Sequence, residues 1–594
     1  MTEEKTQSDG DRQPLEESSP LRGKSSWIPR CLRRMLPTGF LDEVKEQFAL
    51  AFPMFISEVF VYLVDLVSSI FCGHLGKDEL DAVTLAIAVI TLSGLSIGSS
   101  MSYACNTLMS QCYGGKNLKR IGTILQRGIL ILLLICFPCW AIFINTENIL
   151  LLFKQDPRVA RLTQEYVLVC IPSLPAVFLF HLQTQYLQNQ NIIWPQILSG
   201  LIANIINAIL NAIFIYILDL GLVGSAWANT ISQISMCAAL FMCIYVKKLH
   251  VETWAGWSRD CLQEWKDFML LAIPSMFMVC IEWWSYESGA FLSGAISVVE
   301  LGAQSIMLEL STVAYLLSLG FSGATSVRVG IALGAGDVKL AKFTSKVSLF
   351  STGVFALLTS SFIAALHNHL GYVFTTDSEI LFLVSRLLLM LAPLHILDAL
   401  NCLCGGILQG SGKQTVGAVV IAMGHYIIGL PLGIGLMFGL KLGVIGLWSG
   451  MMVANLLQVT FFVTYILRMN WSKACEEAQI RAGLTIYKKD SDPNIAWKNE
   501  GSNSFGMLEN GPLPNTDIGN SLEDNGSPGK IITSSDDKQT DQKMEQKDLT
   551  IDTTNVVGEL LSVKQLILWR GLAVLAAVLA LSIGIIVKCL TSKG

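Results

Sequence analysis

The chain has 594 residues, of which 52% are hydrophobic and only 15% charged, with a mean hydropathy of +0.53. Soluble domains carry roughly 25% charged residues, and disordered chains pair low hydrophobicity with high net charge, so both classes are excluded. A net charge of −5 gives no broad basic surface and argues against nucleic acid as a partner.

In chain order, residues 1–44 are polar, include Pro20, Pro29 and Pro37, and read as a cytoplasmic tail rather than a signal peptide. A bilayer core needs roughly 20 apolar residues per helix. Thirteen such runs are predicted, near 47–71, 82–106, 122–145, 160–183, 192–218, 222–246, 266–290, 301–325, 345–366, 380–401, 414–440, 443–467 and 566–588. Lys and Arg gather in the tail (Arg22, Lys24, Arg30, Arg33, Arg34) and after spans 2, 6 and 8 (Lys116, Lys119, Arg120; Lys247, Lys248; Arg328, Lys339, Lys342). Positive charge marks the cytoplasmic side, which places the N-terminus inside and, after thirteen spans, the C-terminus outside. Lys154, Arg158 and Arg161 after span 3 run against this pattern.

The expected organisation is an N-lobe over 45–246, an interlobe cytoplasmic loop over 247–265 and a C-lobe over 266–468. A linker over 469–563 and a thirteenth span over 564–590 follow. The linker is rich in Asp, Asn, Ser, Gly and Lys and reads as disordered. That makes span 13 a tethered appendage. Its sequons at Asn470 and Asn525 fall on the cytoplasmic side and are expected to stay unused.

The first twelve spans form two sixes that echo each other. Leu187-Gln188 recurs as Leu408-Gln409, Gly221-Leu-Val-Gly224 as Gly443-Val-Ile-Gly446, Trp227 as Trp448 and Gly114-Gly115 as Ala335-Gly336. An even number of spans per half gives both halves the same topology. They should then be related by an axis along the membrane normal, with a cavity between them, as in two-lobed transporters.

Several stretches resemble a specific family. Cys72-Gly-His-Leu-Gly-Lys-Asp-Glu-Leu-Asp81 with the following AVTLAIAV, Glu282-Trp-Trp-Ser-Tyr-Glu287, Glu300-Leu-Gly-Ala-Gln304, Ser326-Val-Arg-Val-Gly330 and Gly334-Ala-Gly336 are similar to the animal branch of the multidrug and toxin extrusion (MATE) family. The resemblance covers about 45–475 and span 13. It implies an all-α, two-lobe (6+6) membrane transporter with an added C-terminal helix. It also implies exchange of small organic cations for protons at the plasma membrane, apical in epithelia, by a chain working as a monomer. No enzyme activity and no cofactor are implied.

A carboxylate inside a span costs about 2.5–3.5 kcal/mol on insertion scales and is by default a functional candidate. Glu282 and Glu287 lie in span 7, Glu309 in span 8, Asp398 in span 10, and Glu58 and Asp65 in span 1, and no span supplies a matching set of basic residues for them. An unpaired carboxylate facing a cavity takes up a proton more readily than one in water, which suits an exchanger. Glu282 and Glu287 are about 140° apart on their helix, yet each has an aromatic neighbour one turn away, Tyr286 and Trp283. An aromatic face beside an anion holds ammonium-like cations, whereas Trp284 also fits an interfacial belt. In span 8 Tyr315 accompanies Glu309. By resemblance, these C-lobe glutamates carry proton coupling and cation binding, and a Glu would stand where this chain has Asp398. His395, one turn before Asp398, is placed to share its proton or to pack as a core histidine. Glu58 and Asp65 form a candidate second site in the N-lobe, as in bacterial members, or one of them is paired with a polar neighbour such as Asn204 or Asn207 and is structural. Glu300 is expected at a solvated edge. Cys72 and Cys136 match family cysteines linked to thiol sensitivity, implying access to the cavity.

Two motifs read as incidental. Gly410-Ser-Gly412-Lys413 lacks the leading Gly and the Ser/Thr of a phosphate loop. Cys136-Phe-Pro-Cys139 has redox spacing without a βαβ setting. No metal-ligand cluster is apparent. The competing readings are a sodium-coupled exporter, a lipid flippase on the same plan, and a receptor or scaffold using the linker.

Overall fold

The computed structural model describes residues 39–485, 552–553, 557 and 560–591. With no water in the bilayer core, each apolar run must satisfy its own backbone, and it does so as a helix. The membrane-length helices are α1 (Phe40–Gly73), α2 (Lys77–Gly114), α3 (Leu118–Ile144), α6 (Trp194–Ile217), α7 (Gly221–Val246), α8 (Trp265–Gly294), α9 (Val298–Gly334), α10 (Val338–Leu366), α11 (Ser378–Ser411), α12 (Gln414–Gly439), α13 (Val444–Arg468) and, last in the chain, α15 (Val563–Thr591). The remaining span is a pair, α4 (Pro157–Cys170) and α5 (Ser173–Gln188), bent by 57°. The bend falls at Pro172, which cannot continue the hydrogen-bond ladder. Together these account for the thirteen expected spans.

Each six has core of its own, one built on α1 to α7 and the start of α8, the others on α8 to α13. A further cluster joins them, with Leu50, Ala51 and Met54 of α1 packed on Phe321 and Ala324 of α9 and Leu403 of α11. Backbone conformation bears out the repeat: Gly221 (φ 54°) opens α7 and Gly443 (φ 59°) immediately precedes α13, while Asn191 (φ 60°) and Gly412 (φ 73°) precede α6 and α12. At the third site the helix ends pair Gly114 with Gly334, rather than with Ala335 as the sequence match suggested.

The lobes meet where α1 and α2 pack against α8, α9 and α11. At the end of the bundle where α1 begins, termed proximal here, this interface is sealed. Glu43 of α1 pairs with Arg328 of α9 at 2.7 Å and accepts from Thr344 at 2.7 Å. Gln47 donates to Thr325 (2.9 Å), Asn106 to Ser326 (3.2 Å), Thr107 to the Gln409 carbonyl (2.8 Å) and Gln111 to the Gly410 carbonyl (3.0 Å). Backbones touch here: a Cβ at Gly334 would collide with the Gln111 carbonyl, and one at Gly114 with the Ile331 carbonyl.

Residues 470–485, expected to be disordered, are ordered. Helix α14 (Trp471–Arg481) buries Trp471, Ala474, Cys475 and Ala478, an i, i+3, i+4, i+7 stripe that hides among charged residues. It fastens both lobes at the proximal end. Arg481 donates to Gln111 (3.0 Å) and to the Ser411 carbonyl (3.3 Å), Glu477 pairs with Lys413 (2.6 Å), and Asn117 donates to the Ala482 carbonyl (3.0 Å). Strand β1 (Leu484–Thr485) then pairs antiparallel with β2 (Asp552–Thr553). The rest of the expected linker, 486–551, lies outside the described residues, as does Asn525.

Nor is span 13 a loose appendage. α15 packs along α3, with Asn145 donating to the Gly584 carbonyl (2.8 Å) and Lys588 paired with Glu147 (2.9 Å). Arg570 stacks over the Trp265 ring at 4.3 Å, and Gln263 bonds the Leu561 carbonyl at 3.1 Å.

Candidate functional site

Helices α8, α9 and α11 bring the C-lobe carboxylates together. Glu282, half-buried on α8, and Asp398, buried on α11, lie within Coulombic reach of each other. Among the described residues Asp398 Oδ1 has no hydrogen-bond partner. One helical turn and a half further along α8, Glu287 lies within reach of Glu309, an exposed residue of α9. The two acids that could not share a face of one helix thus each acquire an acidic neighbour from another. Among the described residues, no ion pair touches Glu58, Asp65, Glu282, Glu287, Glu309 or Asp398. The buried basic groups are used elsewhere: Arg120 and Arg127 of α3 clasp Glu264 at 2.9 and 2.8 Å, and Arg328 holds Glu43.

Aromatic side chains line this cluster. Tyr286 accepts from Asn455 (3.2 Å), and its ring lies 5.7 Å from His425 and 5.6 Å from Trp448. His425, in a π-helical turn of α12 (Met423–Gly429), reaches back to Ser285 of α8 at 3.2 Å. Such turns re-aim side chains and often mark functional sites. Tyr315 lies beside Glu282, Asp398 and Cys402. Trp283 is half-buried, with no hydrogen bond from its ring among the described residues, while Trp284 donates across the lobe interface to the Leu92 carbonyl (3.2 Å). Leu92 sits in a second π-helical turn, Thr91–Leu95 of α2.

A cross-lobe contact that sequence spacing could not disclose involves Tyr62. Its hydroxyl, on α1, donates to Glu309 Oε2 at 2.5 Å.

The N-lobe acids part company. Asp65 accepts from Asn229 of α7 (2.9 Å), which reaches on through Ser68 to Asn207. A cavity of about 30 Å³ beside it is lined by Thr91, Tyr166, Asn229 and Gln233 among others, enough room for a water. Among the described residues Gln233 Oε1 lacks a protein partner. Among the described residues Glu58 has no hydrogen-bond partner, and it lies within Coulombic reach of Tyr103 of α2. The pairing of one acid with an amide is therefore seen, with Asn229 as the amide; Asn204 and Asn207 instead bond the backbone of α1 at Phe60 and Val64 (2.7 and 3.0 Å).

Three expectations are corrected. His395 does not share a proton with Asp398: it is buried and its Nε2 is hydrogen-bonded to Thr359 of α10 at 2.8 Å, a packing anchor between helices. Cys72 and Cys136 are fully buried in the N-lobe core rather than open to a cavity, because their small apolar thiols fill gaps between tightly packed helices. Glu300 is not merely solvated. Its backbone N–H is capped by Ser297 (3.1 Å), and its carboxylate accepts from Val444 N–H at 2.7 Å, holding the start of α13. Gln304, four residues on, accepts from Trp448 at 2.7 Å. Among the described residues no group of His, Cys, Asp and Glu is arranged to hold a metal ion.

This arrangement sits in a recognisable frame. The family model described as MatE matches residues 53–217 and 274–434. The chain belongs to the MatE family. It is 48% identical over 573 residues to multidrug and toxin extrusion protein 2 of Mus musculus, covering 96% of each chain. It is also 48% identical over 580 residues to multidrug and toxin extrusion protein 1 of Homo sapiens, covering 96% of this chain and 98% of that one. Among solved structures, the eukaryotic MATE transporter AtDTX14 is similar at a TM-score of 0.73 and 28% identity, over 75% of this chain and 100% of that one. The Vibrio cholerae MATE transporter VcmN shares the fold at a TM-score of 0.67 and 18% identity, over 74% of this chain and 100% of that one. The MatE match spans both sixes and contains every candidate carboxylate.

Proposed function

We propose that the chain is a secondary active exporter that exchanges external protons for internal organic cations by alternating access. The carrying observation is the set Glu282, Asp398, Glu287 and Glu309, gathered from three helices, free of basic partners among the described residues and bordered by Tyr286 and Tyr315. A carboxylate in such a place is neutralised either by a proton or by a passing cation. The two ligands compete for one charge, and competition for one site is what makes an antiporter. The names of the mouse and human relatives, multidrug and toxin extrusion proteins, support the same reading.

In this reading the proximal end is cytoplasmic, the C-terminus is extracellular, and the chain works as a monomer in the plasma membrane. The proximal seal of Glu43–Arg328, Gln47–Thr325 and Asn106–Ser326 then closes the inside. Residues 45–246 and 266–468 are the two moving lobes, with 247–265 between them. A cation enters from the cytoplasm and is held by the ionised C-lobe acids. Outside, protons from solution occupy the same carboxylates and release it. Asp65, with its cavity and amide relay, is a second site for a proton or small cation in the N-lobe.

Uptake of radiolabelled tetraethylammonium into vesicles containing the protein tests this. An outward-directed proton gradient should drive accumulation, and an outward-directed sodium gradient should not. Accumulation driven by sodium alone would replace the proton by sodium in the scheme. Lipid scrambling without cation flux would favour the flippase.

A further inference from the structure

The hydrogen bond from Tyr62 to Glu309 has a property that no other cross-lobe contact among the described residues shares. It joins α1 of one lobe to a carboxylate of the cluster on α9 of the other. The other cross-lobe contacts toward this end among the described residues, Trp284 to the Leu92 carbonyl (3.2 Å), Cys280 to Ser96 (3.4 Å) and the Phe153–Phe291 ring pair (5.6 Å), link neutral groups. Those of the proximal seal involve none of the six candidate acids. Tyr62 lies eleven residues from the distal end of α1, and Glu309 eleven from the distal start of α9. At 1.5 Å per residue the bond therefore sits about 16 Å inside the distal end. Opening the lobes on that side must break it, and opening them at the proximal end need not.

A phenol donates more strongly to an ionised carboxylate than to a neutral acid or to one already engaged by a cation. The charged groups facing the pair are Glu287 from α8, against Glu309, and Asp65 from α1, against Tyr62. Both are acids, so neither supplies a competing counter-ion. The bond is strongest in one state of the carrier: Glu309 ionised and unloaded.

We propose that Tyr62 is a coupling residue, which latches the distal halves of the lobes together while Glu309 is charged and empty and lets go when a proton or a cation occupies it. The inference rests on the exchange reading above and adds to it the rule an antiporter needs. Having delivered its proton inside, the carrier cannot open outward again until it has taken a cation. Without the latch, empty carriers return and protons leak.

The test compares wild type with Tyr62→Phe in proteoliposomes, reading two quantities. One is the ratio of tetraethylammonium exchange to its one-way efflux into cation-free medium without a pH gradient. The other is proton entry in the absence of any cation, followed with a trapped pH dye. The expected result is a ratio lowered by about tenfold, a new proton leak, and recovery of both in Tyr62→Gln, whose amide can donate to the same carboxylate. A variant that slows both fluxes in parallel, with the ratio and leak unchanged, would show a merely structural tyrosine and overturn the proposal. Should Tyr62→Phe fail to fold, spin labels at Ser69 and Ser305 give the answer without it. The distal distance should be short at high pH without cation and lengthen on acidification or on adding tetraethylammonium. A distribution indifferent to both would overturn the latch. Failure of the exchange reading would look different, since wild type itself would then show no proton-driven uptake.

Discussion

Arg328 of α9 grips Glu43 of α1 with two parallel hydrogen bonds, Nε to Oε1 at 2.9 Å and Nη2 to Oε2 at 2.7 Å. This two-pronged pair ties the lobes at the proximal end, with Glu43 7% exposed and Arg328 20%. Removing one partner of a fully buried pair costs about 3–5 kcal/mol, and the partial exposure here lowers that to roughly 1–3 kcal/mol. Glu43→Gln should weaken the proximal seal selectively. A cysteine placed at Ser326 should then react faster with an impermeant thiol reagent applied from that side. Equal labelling in both proteins would mean that the pair does not hold the seal.

Close backbone approach makes the same interface sensitive to a single methyl group. Gly334→Ala would push a Cβ into the Gln111 carbonyl, which cannot yield without moving α2. Overpacking of this kind costs about 1–3 kcal/mol. We expect the variant to reach the membrane, transport poorly and favour the proximally open state; normal transport would show that the interface is more forgiving than its geometry.

Glu282 and Asp398 act on each other across α8 and α11, so neither should be replaceable alone. Glu282→Gln and Asp398→Asn should each cut proton-driven cation uptake by roughly tenfold or more at unchanged surface expression, and Glu309→Gln should do the same. Uptake close to wild type in all three would remove these residues from the site.

His395 gives the opposite expectation. Bonded to Thr359 rather than to Asp398, it anchors α11 to α10 and should take no part in proton exchange. His395→Gln keeps a polar group for Thr359, so the pH profile of exchange should not move. His395→Ala should lower thermal stability, by about 1–3 kcal/mol for the hydrogen bond left unmade, again without moving the profile. A displaced pH profile in either variant would return His395 to the proton path.

Two deletions should differ sharply. Removing 490–548 leaves α14 and its contacts untouched and should preserve transport. Removing 470–485 takes away Arg481, Glu477 and the strap they form across Gln111, Ser411 and Lys413. The second deletion should destabilise the closed proximal end and lower exchange; equal behaviour of the two would show α14 to be dispensable.

What the sequence disclosed, and what it hid, follows from the range of the physics involved. Acidic residues inside apolar runs stand out locally, because their cost is set by the bilayer and not by a neighbour. Glu282, Glu309 and Asp398 were therefore visible without any fold. Repeat positions were visible for a similar reason: Gly221 and Gly443 need φ above zero, which glycine adopts at little cost. Pairings between distant segments leave no such trace. Tyr62 and Glu309 are 247 residues apart, and Asp65 and Asn229 are 164 apart, so nothing near either residue names its partner. His395 misled because spacing along one helix favoured Asp398, while packing turned the ring to α10. In α14 the apolar stripe is regular, but Lys473, Glu476 and Glu477 gave its surroundings the composition of the linker.

Helix α15 lies against α3, yet it is made after every span of the two lobes. Its place beside Ala141, Asn145 and Glu147 must stay filled by lipid while the ribosome works through everything between. A late-made piece thus comes home to one of the earliest, and quality control that monitors this flank would sense whether both lobes had already been made.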